Sequence, residues 1–256
     1  MAPKIYSLLE KWPKGTVATM KFLADSGVDH KSASYHSGEG KLSRLGSGAY
    51  VRPSDEVRWQ GGLYPLQTQL SLTVHVGARS ALELLGLSHY LPMGKKPLIF
   101  LVSDKKEHLP AWFTRHEWDA RINHRCLSLF TGIPETASTS LDCGGFTVKA
   151  SSAERAIMET MSLARTNHEI EHSHTLMEGL ITLRPDVVQE LLTACTSVKV
   201  KRLFLWSAET SEHAWFSRLD PSKVDLGKGK RQIYQGGVYD QKYKMTIPAP
   251  EEQPDV

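Results

Sequence analysis

The stretch TVATMKFLADSGVDHKSASYHSGEGKLSRLGSGAYVRP, residues 16–53, decides the fold of the first part of this chain. Thr16 has the side chain of a helix N-cap and precedes an apolar stripe, which predicts a helix over residues 17–26. Asp29 is a second N-cap candidate and predicts another short helix, of mostly polar composition, over residues 30–37. An apolar helix joined to a polar one by a tight turn is typical of a helix-turn-helix.

A β-hairpin is predicted directly after the polar helix. Residues 42–45 and 49–52 form two short segments around Gly46-Ser47-Gly48, and Pro53 ends the second segment. Two helices followed by such a hairpin give the order of a winged helix-turn-helix, whose second helix enters the major groove of DNA. The alternative is a small helical domain with a surface hairpin and no DNA contact.

The residues that we predict to contact DNA lie on the polar helix and on the hairpin. Side chains of the helix can donate hydrogen bonds to base edges, whereas basic residues of the hairpin suit phosphates or the minor groove. Residues 13–52 hold six Lys or Arg against three acids, which favours a polyanionic partner. The helix candidates are Lys31, Ser32, Ser34 and Tyr35, and the hairpin candidates are Lys41, Arg44, Ser47 and Arg52.

Composition excludes several classes of protein. The 256 residues have a net charge of +3, with 40% hydrophobic and 23% charged residues, which is typical of a folded globular chain. The three cysteines form no CxxC pair, which argues against a disulfide framework and a Cys-rich zinc site. The longest apolar run, residues 97–102, is much shorter than the roughly 20 residues of a spanning helix, and the first residues have no signal-peptide pattern. We therefore expect a cytoplasmic protein.

The remaining sequence alternates strand and helix patterns and predicts an α+β fold. We expect a winged helix-turn-helix domain over residues 1–92, a larger mixed α/β domain over residues 96–248, and a disordered tail over residues 249–256. Within the second domain, strands are predicted over residues 121–130 and 231–234, among others.

Several segments, taken in order, resemble the AbiEi antitoxins of type IV (abortive infection) toxin–antitoxin systems. In the first half these are YVRP (50–53), WQGGLYPLQ (59–67), VHVGARSALEL (74–84) and HYLP (89–92). In the second half they are LMEGL (176–180), LRP (183–185), VKVKRLFL (198–205), LGKGKR (226–231) and the stretch 243–248. The resemblance covers residues 1–248, and its unusual residues occur in order.

This resemblance implies a function in phage defence and the partners that go with it. The N-terminal winged helix would repress its own operon by binding inverted repeats, with self-association on the repeats as a further expectation. The C-terminal domain would counter a nucleotidyltransferase toxin encoded alongside, with or without direct contact. The family offers no catalytic motif that maps onto this chain, so we expect no enzyme activity and no cofactor.

Basic residues of the second half are candidates for a partner surface. Residues 199–244 hold ten Lys or Arg against five acids. Such residues can bind a toxin, RNA or a second DNA segment, or they can be solvated charges at the edge of packed elements. The candidates are Lys199, Lys201, Arg202, Lys228, Lys230 and Arg231.

The segment His168-Glu169-Ile170-Glu171-His172 matches the HExxH pattern of zinc proteases. In those enzymes both histidines bind zinc from one face of a helix, and the glutamate is the general base. Here the motif follows Thr166-Asn167 and has no marked third ligand, so we expect a helix start and no metal site. A zinc hydrolase and a stand-alone transcription factor with a ligand-sensing C-terminal domain are the alternatives to an antitoxin.

Overall fold

A computed structural model of the chain describes residues 4–88 and 96–249. The chain forms two compact units. The first comprises Met1–Val76, Leu91–Leu127 and Thr139–Ala150, and the second comprises Gly77–Tyr90, Ser128–Ser138 and Ser151–Val256. The predicted break between residues 92 and 96 and nearly all of the predicted tail lie outside the described residues, so both stay predictions.

Helices and strands alternate through the described residues. The helices are α1 Lys4–Lys11, α2 Met20–Asp25, α3 His30–Gly38, α4 Trp59–Thr68, α5 Ala78–Leu84, α6 Ala111–Arg115, α7 Ala153–Leu163, α8 Asn167–Glu178, α9 Pro185–Ala194 and α10 Val198–Thr210. The strands are β1 Ala18–Thr19, β2 Ser43–Gly46, β3 Ala49–Val51, β4 His75–Val76, β5 Leu98–Ser103, β6 Arg121–Cys126, β7 Ser138–Asp142, β8 Thr147–Ser151, β9 Val238–Asp240 and β10 Met245–Ile247. Short 3-10 turns cover Glu135–Ala137, Ala214–Arg218 and Pro221–Lys223.

The first unit begins with the predicted winged helix-turn-helix. Helices α2 and α3 follow β1, and β1, β3 and β2 form an antiparallel sheet in that order. The helices and the sheet enclose an apolar core, because each contributes one apolar face. The core residues are Leu8, Trp12, Ala18, Leu23, Val28, Ala33, Leu42 and Tyr50.

The first helix of the motif starts later than the sequence pattern predicts. Ala18 and Thr19 are extended, because they pair with Tyr50 and Ala49 of β3. Thr19 is therefore the N-cap of α2 and accepts a hydrogen bond from the backbone N–H of Phe22. The prediction for Thr16 was wrong: its hydroxyl donates to the Pro13 carbonyl at 2.7 Å and accepts from the Trp12 indole at 3.0 Å.

A five-stranded sheet, in the order β6-β5-β4-β8-β7, supports the rest of the first unit. Strand β4 lies at its centre, antiparallel to β5 and parallel to β8, with Val76 opposite both Leu101 and Ala150. The Gln67 side chain adds a link, since it donates to the Lys149 carbonyl and accepts from the Lys149 N–H. Strands from both sides of residues 89–95 therefore share one sheet.

Two predicted strands were too long or absent. Strand β6 ends at Cys126, where its pairing with Ser103 of β5 ends, so residues 127–130 do not extend it. The predicted strand over residues 231–234 is reduced to one bridge between Arg231 and Met245, because β10 pairs with the unpredicted strand β9 instead.

The second unit is built around α7, which packs against α5, α8, α9 and α10. Its centre includes a buried carboxylate, Glu159, that accepts from the Ser151 hydroxyl, the Ala78 N–H and the Arg155 guanidinium at 2.8–2.9 Å. These bonds compensate the cost of burying the charge and tie α7 to the first residue of α5 and the last residue of β8. No helix within residues 4–88 and 96–249 is long and apolar enough to cross a membrane.

Candidate nucleic-acid interface

Helix α3 presents one polar face to solvent. Ala33 is its buried contact with the core. Lys31, Ser34 and Tyr35 lie on the opposite side, since positions i, i+3 and i+4 share a helix face, and all are exposed. Tyr35 is 62% exposed, which is unusual for a large aromatic side chain. Ser32 is half-buried at the flank of this face.

The start of α3 is fixed by Asp29, as the sequence predicts. The Asp29 carboxylate accepts the Ser32 N–H at 2.8 Å. This hydrogen bond lowers the pKa of Asp29 below its ordinary value, because it stabilises the charged form. The cap fixes the first turn of α3, where His30 is also exposed. We did not single out His30 from the sequence, although its place beside the cap marks it as a first-turn side chain.

Strands β2 and β3 form the wing. Ser47 is exposed at its tip, where Gly48 adopts a positive φ of 74° that favours glycine. Arg44 is exposed on β2, and its Nε donates to the Gly46 carbonyl at 3.3 Å. A Cβ atom at Gly46 would lie 2.8 Å from the Cβ of Trp112, so α6 packs closely behind β2. The sequence predicts the wing but not this support.

Lys41 is exposed between α3 and the wing. Its backbone N–H bonds the His36 carbonyl, and the next residue, Leu42, is buried in the core. The connection is therefore fixed, and Lys41 lies beside both elements.

Arg52 differs from the other basic candidates, because its guanidinium is bonded inside the unit. Its Nη2 donates to the Leu9 and Trp12 carbonyls at the end of α1. Its charge also lies 5.5 Å from the centre of the Trp12 ring and 4.0 Å from the Asp55 carboxylate. The structure thus gives Arg52 a role in joining the wing to α1, and its predicted phosphate contact stays untested.

Two predicted partner residues of the second unit are buried. Arg202 is 1% exposed, and its guanidinium donates to the carbonyls of Leu226, Gly227, Gly229 and Lys244 at 2.8–3.2 Å. The Lys201 amine donates to the Asp225 carbonyl at 2.9 Å. The surface prediction for both residues is therefore corrected: they hold the loop that follows residue 224.

The other four basic candidates remain nearer to solvent. Lys228, Lys230 and Arg231 are exposed, and the Lys230 amine lies 4.9 Å from the centre of the Tyr239 ring. Lys199 is half-buried, and its amine donates to the Ala164 carbonyl.

The HExxH segment forms the start of α8, as expected. Thr166 and Glu169 form a capping box, in which the Glu169 carboxylate accepts the N–H groups of Arg165 and Thr166 at 2.7 and 3.0 Å. These bonds lower the pKa of Glu169, so it suits a helix cap better than a general base. Within residues 4–88 and 96–249, no three His, Cys, Asp or Glu side chains are grouped to hold a metal ion.

Comparison with known proteins gives matches to two families and to solved structures. Residues 1–93 match the family described as transcriptional regulator, AbiEi antitoxin N-terminal domain, and residues 96–248 match transcriptional regulator, AbiEi antitoxin, type IV TA system. The crystal structure of the RV2827C protein from Mycobacterium tuberculosis is similar at a TM-score of 0.53 and 16% identity, over 94% of this chain and 88% of that one. At this identity the likeness concerns the fold alone. No curated protein matches the chain.

Proposed function

Because the chain belongs to the AbiEi antitoxin family of transcriptional regulators in type IV toxin–antitoxin systems, we propose that it represses its own operon by binding inverted repeats in the promoter. The observation that carries the proposal is the exposed face of α3, formed by Lys31, Ser34 and Tyr35 and backed by the buried Ala33. A short helix with one buried and one polar face, placed beside a wing, is the geometry with which such domains enter the major groove.

In the proposed complex, the face of α3 reads base edges. The Ser34 and Tyr35 hydroxyls donate and accept hydrogen bonds, and the Tyr35 ring can contact thymine methyl groups. Lys31, at the first turn of α3, contacts a base edge or the adjacent phosphate. Lys41, Arg44 and Ser47 contact phosphates of the flanking backbone and fix the orientation of α3 without reading sequence.

Inverted repeats present two half-sites related by a two-fold axis, and each half-site takes one copy of the chain. Two copies bound one helical turn apart, or a multiple of a turn, would place both α3 helices in major grooves on the same side of the duplex. The arrangement therefore implies self-association on DNA.

We further propose that the chain counters a nucleotidyltransferase toxin encoded beside it. The support is the family match over residues 96–248, which carries the description antitoxin. The proposal assigns no enzymatic step to the chain.

A co-expression experiment tests both halves of the proposal. The chain is produced with the product of the neighbouring gene, and growth and expression from the promoter are measured together. We expect the wild type to restore growth and repress the promoter, and the variant Lys31→Ala plus Arg44→Ala to restore growth without repressing. Loss of growth rescue in a well-folded variant would contradict this separation, and a neighbouring gene that is not toxic would favour a stand-alone regulator.

A further inference from the structure

Two adjoining hollows lie beside the start of α8 in the second unit. Their volumes are about 600 and 440 Å³, and they share Arg165, Gln232 and Ile233. The first extends along Thr166, Asn167, His168 and Gln235, and the second along Ala164, Ile170, Lys199, Lys230 and Arg231. We call the two hollows together the α8 cleft. Its combined size suits a ligand of nucleotide dimensions or a few residues of a chain.

The far wall of the cleft, residues 230–235, is held in place from both ends. At one end, the Asn167 side chain donates to the Gln235 carbonyl and accepts the Gln235 N–H at 2.8 and 2.9 Å. At the other end, the Arg231 backbone pairs with Lys244 and Thr246. The buried Arg202 fixes the loop just before it. The cleft is therefore a formed feature of the unit.

The cleft collects cationic side chains and no carboxylates. Arg165, Lys199, Lys230 and Arg231 line it, with His168 at one side. No Asp or Glu is among the lining residues. Within residues 4–88 and 96–249, none of these side chains forms an ion pair with a carboxylate.

Glu169, whose carboxylate acts on the Lys199 charge, is already engaged in the capping box. It accepts the Arg165 and Thr166 N–H groups, and the Thr166 hydroxyl accepts the Glu169 N–H at 3.3 Å. The Glu169 carboxylate and the Thr166 hydroxyl are therefore already bonded within the capping box. Binding in the cleft would depend on side-chain cations.

Crowding of these cations has an electrostatic cost. Burial lowers the pKa of Lys199, and the neighbouring Arg165 charge lowers it further, against a smaller opposing effect of the Glu169 carboxylate. Burial and the Arg165 charge both disfavour the charged amine. A bound anion would offset the repulsion from Arg165. An anionic ligand would thus reduce the repulsion between the cationic side chains that line the cleft.

We propose that the α8 cleft binds the phosphate groups of a nucleotide ligand, either a free nucleoside polyphosphate or a single-stranded nucleic acid. The cations are spread over two adjoining hollows. They therefore suit a ligand with several successive negative charges better than a ligand with a single carboxylate. The amide side chains of Gln232 and Gln235 can hydrogen-bond sugar or base atoms. Arginine suits phosphate in particular, because its planar guanidinium forms paired hydrogen bonds to phosphate oxygens. This inference stands independently of promoter binding by α3.

The test is binding of defined phosphate ligands to the full chain. Arg165→Gln plus Arg231→Gln removes two cations of the cleft, and both side chains are exposed, so the fold should persist. The matched control, Arg218→Gln plus Lys223→Gln, removes two exposed cations of the same unit outside the cleft. Every chain also carries Lys31→Ala and Arg44→Ala, so that the winged helix contributes little. The probes are ATP, a 12-nucleotide single-stranded RNA and poly-glutamate. The affinity of each probe is measured by fluorescence anisotropy at two salt concentrations.

We expect the cleft variant to weaken binding of ATP or RNA at least tenfold, with the control within twofold. For RNA, the slope of log affinity against log salt should fall by about 0.7 for each phosphate that the variant no longer neutralises. Binding of ATP would identify a free nucleotide as the ligand, and binding of RNA alone would identify a strand. Equal affinities for the cleft and control variants, or poly-glutamate binding as tightly as RNA, would overturn the proposal. Promoter binding is measured separately on chains with an intact α3, so either proposal can fail alone.

Discussion

At the residue scale, the basic side chains of this protein divide according to where their charged groups are bonded. The guanidinium groups of Arg52 and Arg202 donate to backbone carbonyls inside their units. Lys31 and Arg44 project from a helix and a strand into solvent. Charge counts along the sequence do not separate these two groups, because a buried arginine and an exposed one look alike before the backbone is folded.

Arg202 offers a direct test of this division. Arg202→Met should lower the free energy of unfolding by about 3 kcal/mol or more, because several buried carbonyls lose a charged donor. Arg202→Lys should retain only part of the stability that Arg202→Met loses, since an ammonium group cannot reproduce the planar set of donors of a guanidinium. Urea denaturation measures both. Arg231→Met, at an exposed neighbour, is the control and should change stability by less than about 0.5 kcal/mol; similar losses in both Met variants would contradict the structural role.

Glu154 should make stability depend on pH. Burial alone would raise its pKa, but the hydrogen bonds from Arg184 outweigh burial and lower the pKa from 4.5 to about 2. The charged form therefore stabilises the fold: its contribution is fully present above pH 4.5 and is lost as pH falls from 4.5 toward 2. Glu154→Gln should cost about 2 kcal/mol at pH 6, because the Arg184 donors then share one neutral amide oxygen and also meet an amide NH2 group that cannot accept.

Denaturation of this variant at several pH values measures the effect. The difference from wild type should shrink as pH falls below 4.5. Glu190→Gln, at an exposed carboxylate, should stay within about 0.5 kcal/mol of wild type at pH 6. A difference for Glu154→Gln that is constant from pH 6 to pH 3 would show that its charge is not stabilising.

At the element scale, the elements that the sequence predicts well are those decided by local contacts. The Asp29 cap, the polar face of α3 and the glycine turn of the wing each depend on residues close in sequence, and the structure contains all three. The start of α2 could not be predicted, because β1 is extended only through pairing with β3 about 30 residues later. The same reason explains why β7 and β9 were missed and the predicted strand over residues 231–234 was wrong.

In the candidate site, too, the features that depend on local contacts could be predicted and those that depend on distant contacts could not. The exposed α3 residues were predicted from helix periodicity, which is local. The internal bonds of Arg52, the burial of Lys201 and Arg202, and the α8 cleft all depend on contacts between distant segments. No spacing in the sequence marks such contacts.

Helix α4 allows a test of packing between elements. A Cβ atom at Gly62 would lie 2.4 Å from the ring of Trp118, which is buried and donates to the Phe113 carbonyl. Gly62→Ala should therefore destabilise the first unit by about 1–3 kcal/mol through overpacking, seen as a lower melting temperature. Gly38→Ala, in α3, is the matched control, since nothing lies within 4 Å of the added carbon. Equal melting temperatures for the two variants would contradict the packing of α4 against Trp118.

At the scale of the whole molecule, the matched family segments and the compact units divide the chain differently. The family segments meet between residues 93 and 96, whereas the first unit includes segments from both sides of this point. The reason is the position of β4. This strand precedes residue 93 in sequence, but it lies at the centre of a sheet whose other strands all follow residue 96.

A fragment experiment tests the consequence. Residues 96–249 alone lack β4, so β5 and β8 lose their common neighbour and the Gln67 bonds to Lys149 are absent. We expect this fragment to be less stable and less soluble than the full chain. Stability is measured as resistance to proteolysis and as the melting temperature followed by circular dichroism. Supplying residues 1–88 in trans should restore protection. A fragment that melts as cooperatively and at the same temperature as the full chain would show that β4 is dispensable.

The central claim is that α3 and the wing bind duplex DNA, and titration of the promoter duplex at several salt concentrations tests it most directly. Lys31→Ala plus Arg44→Ala should weaken binding at least tenfold and reduce the salt slope by about 0.9 for each DNA phosphate left without its cationic partner. Lys105→Ala plus Lys106→Ala removes the same charge from exposed positions outside both elements and should change affinity little. Equal reductions of affinity in the two variants, or unchanged affinity and slope in the first, would contradict the claim.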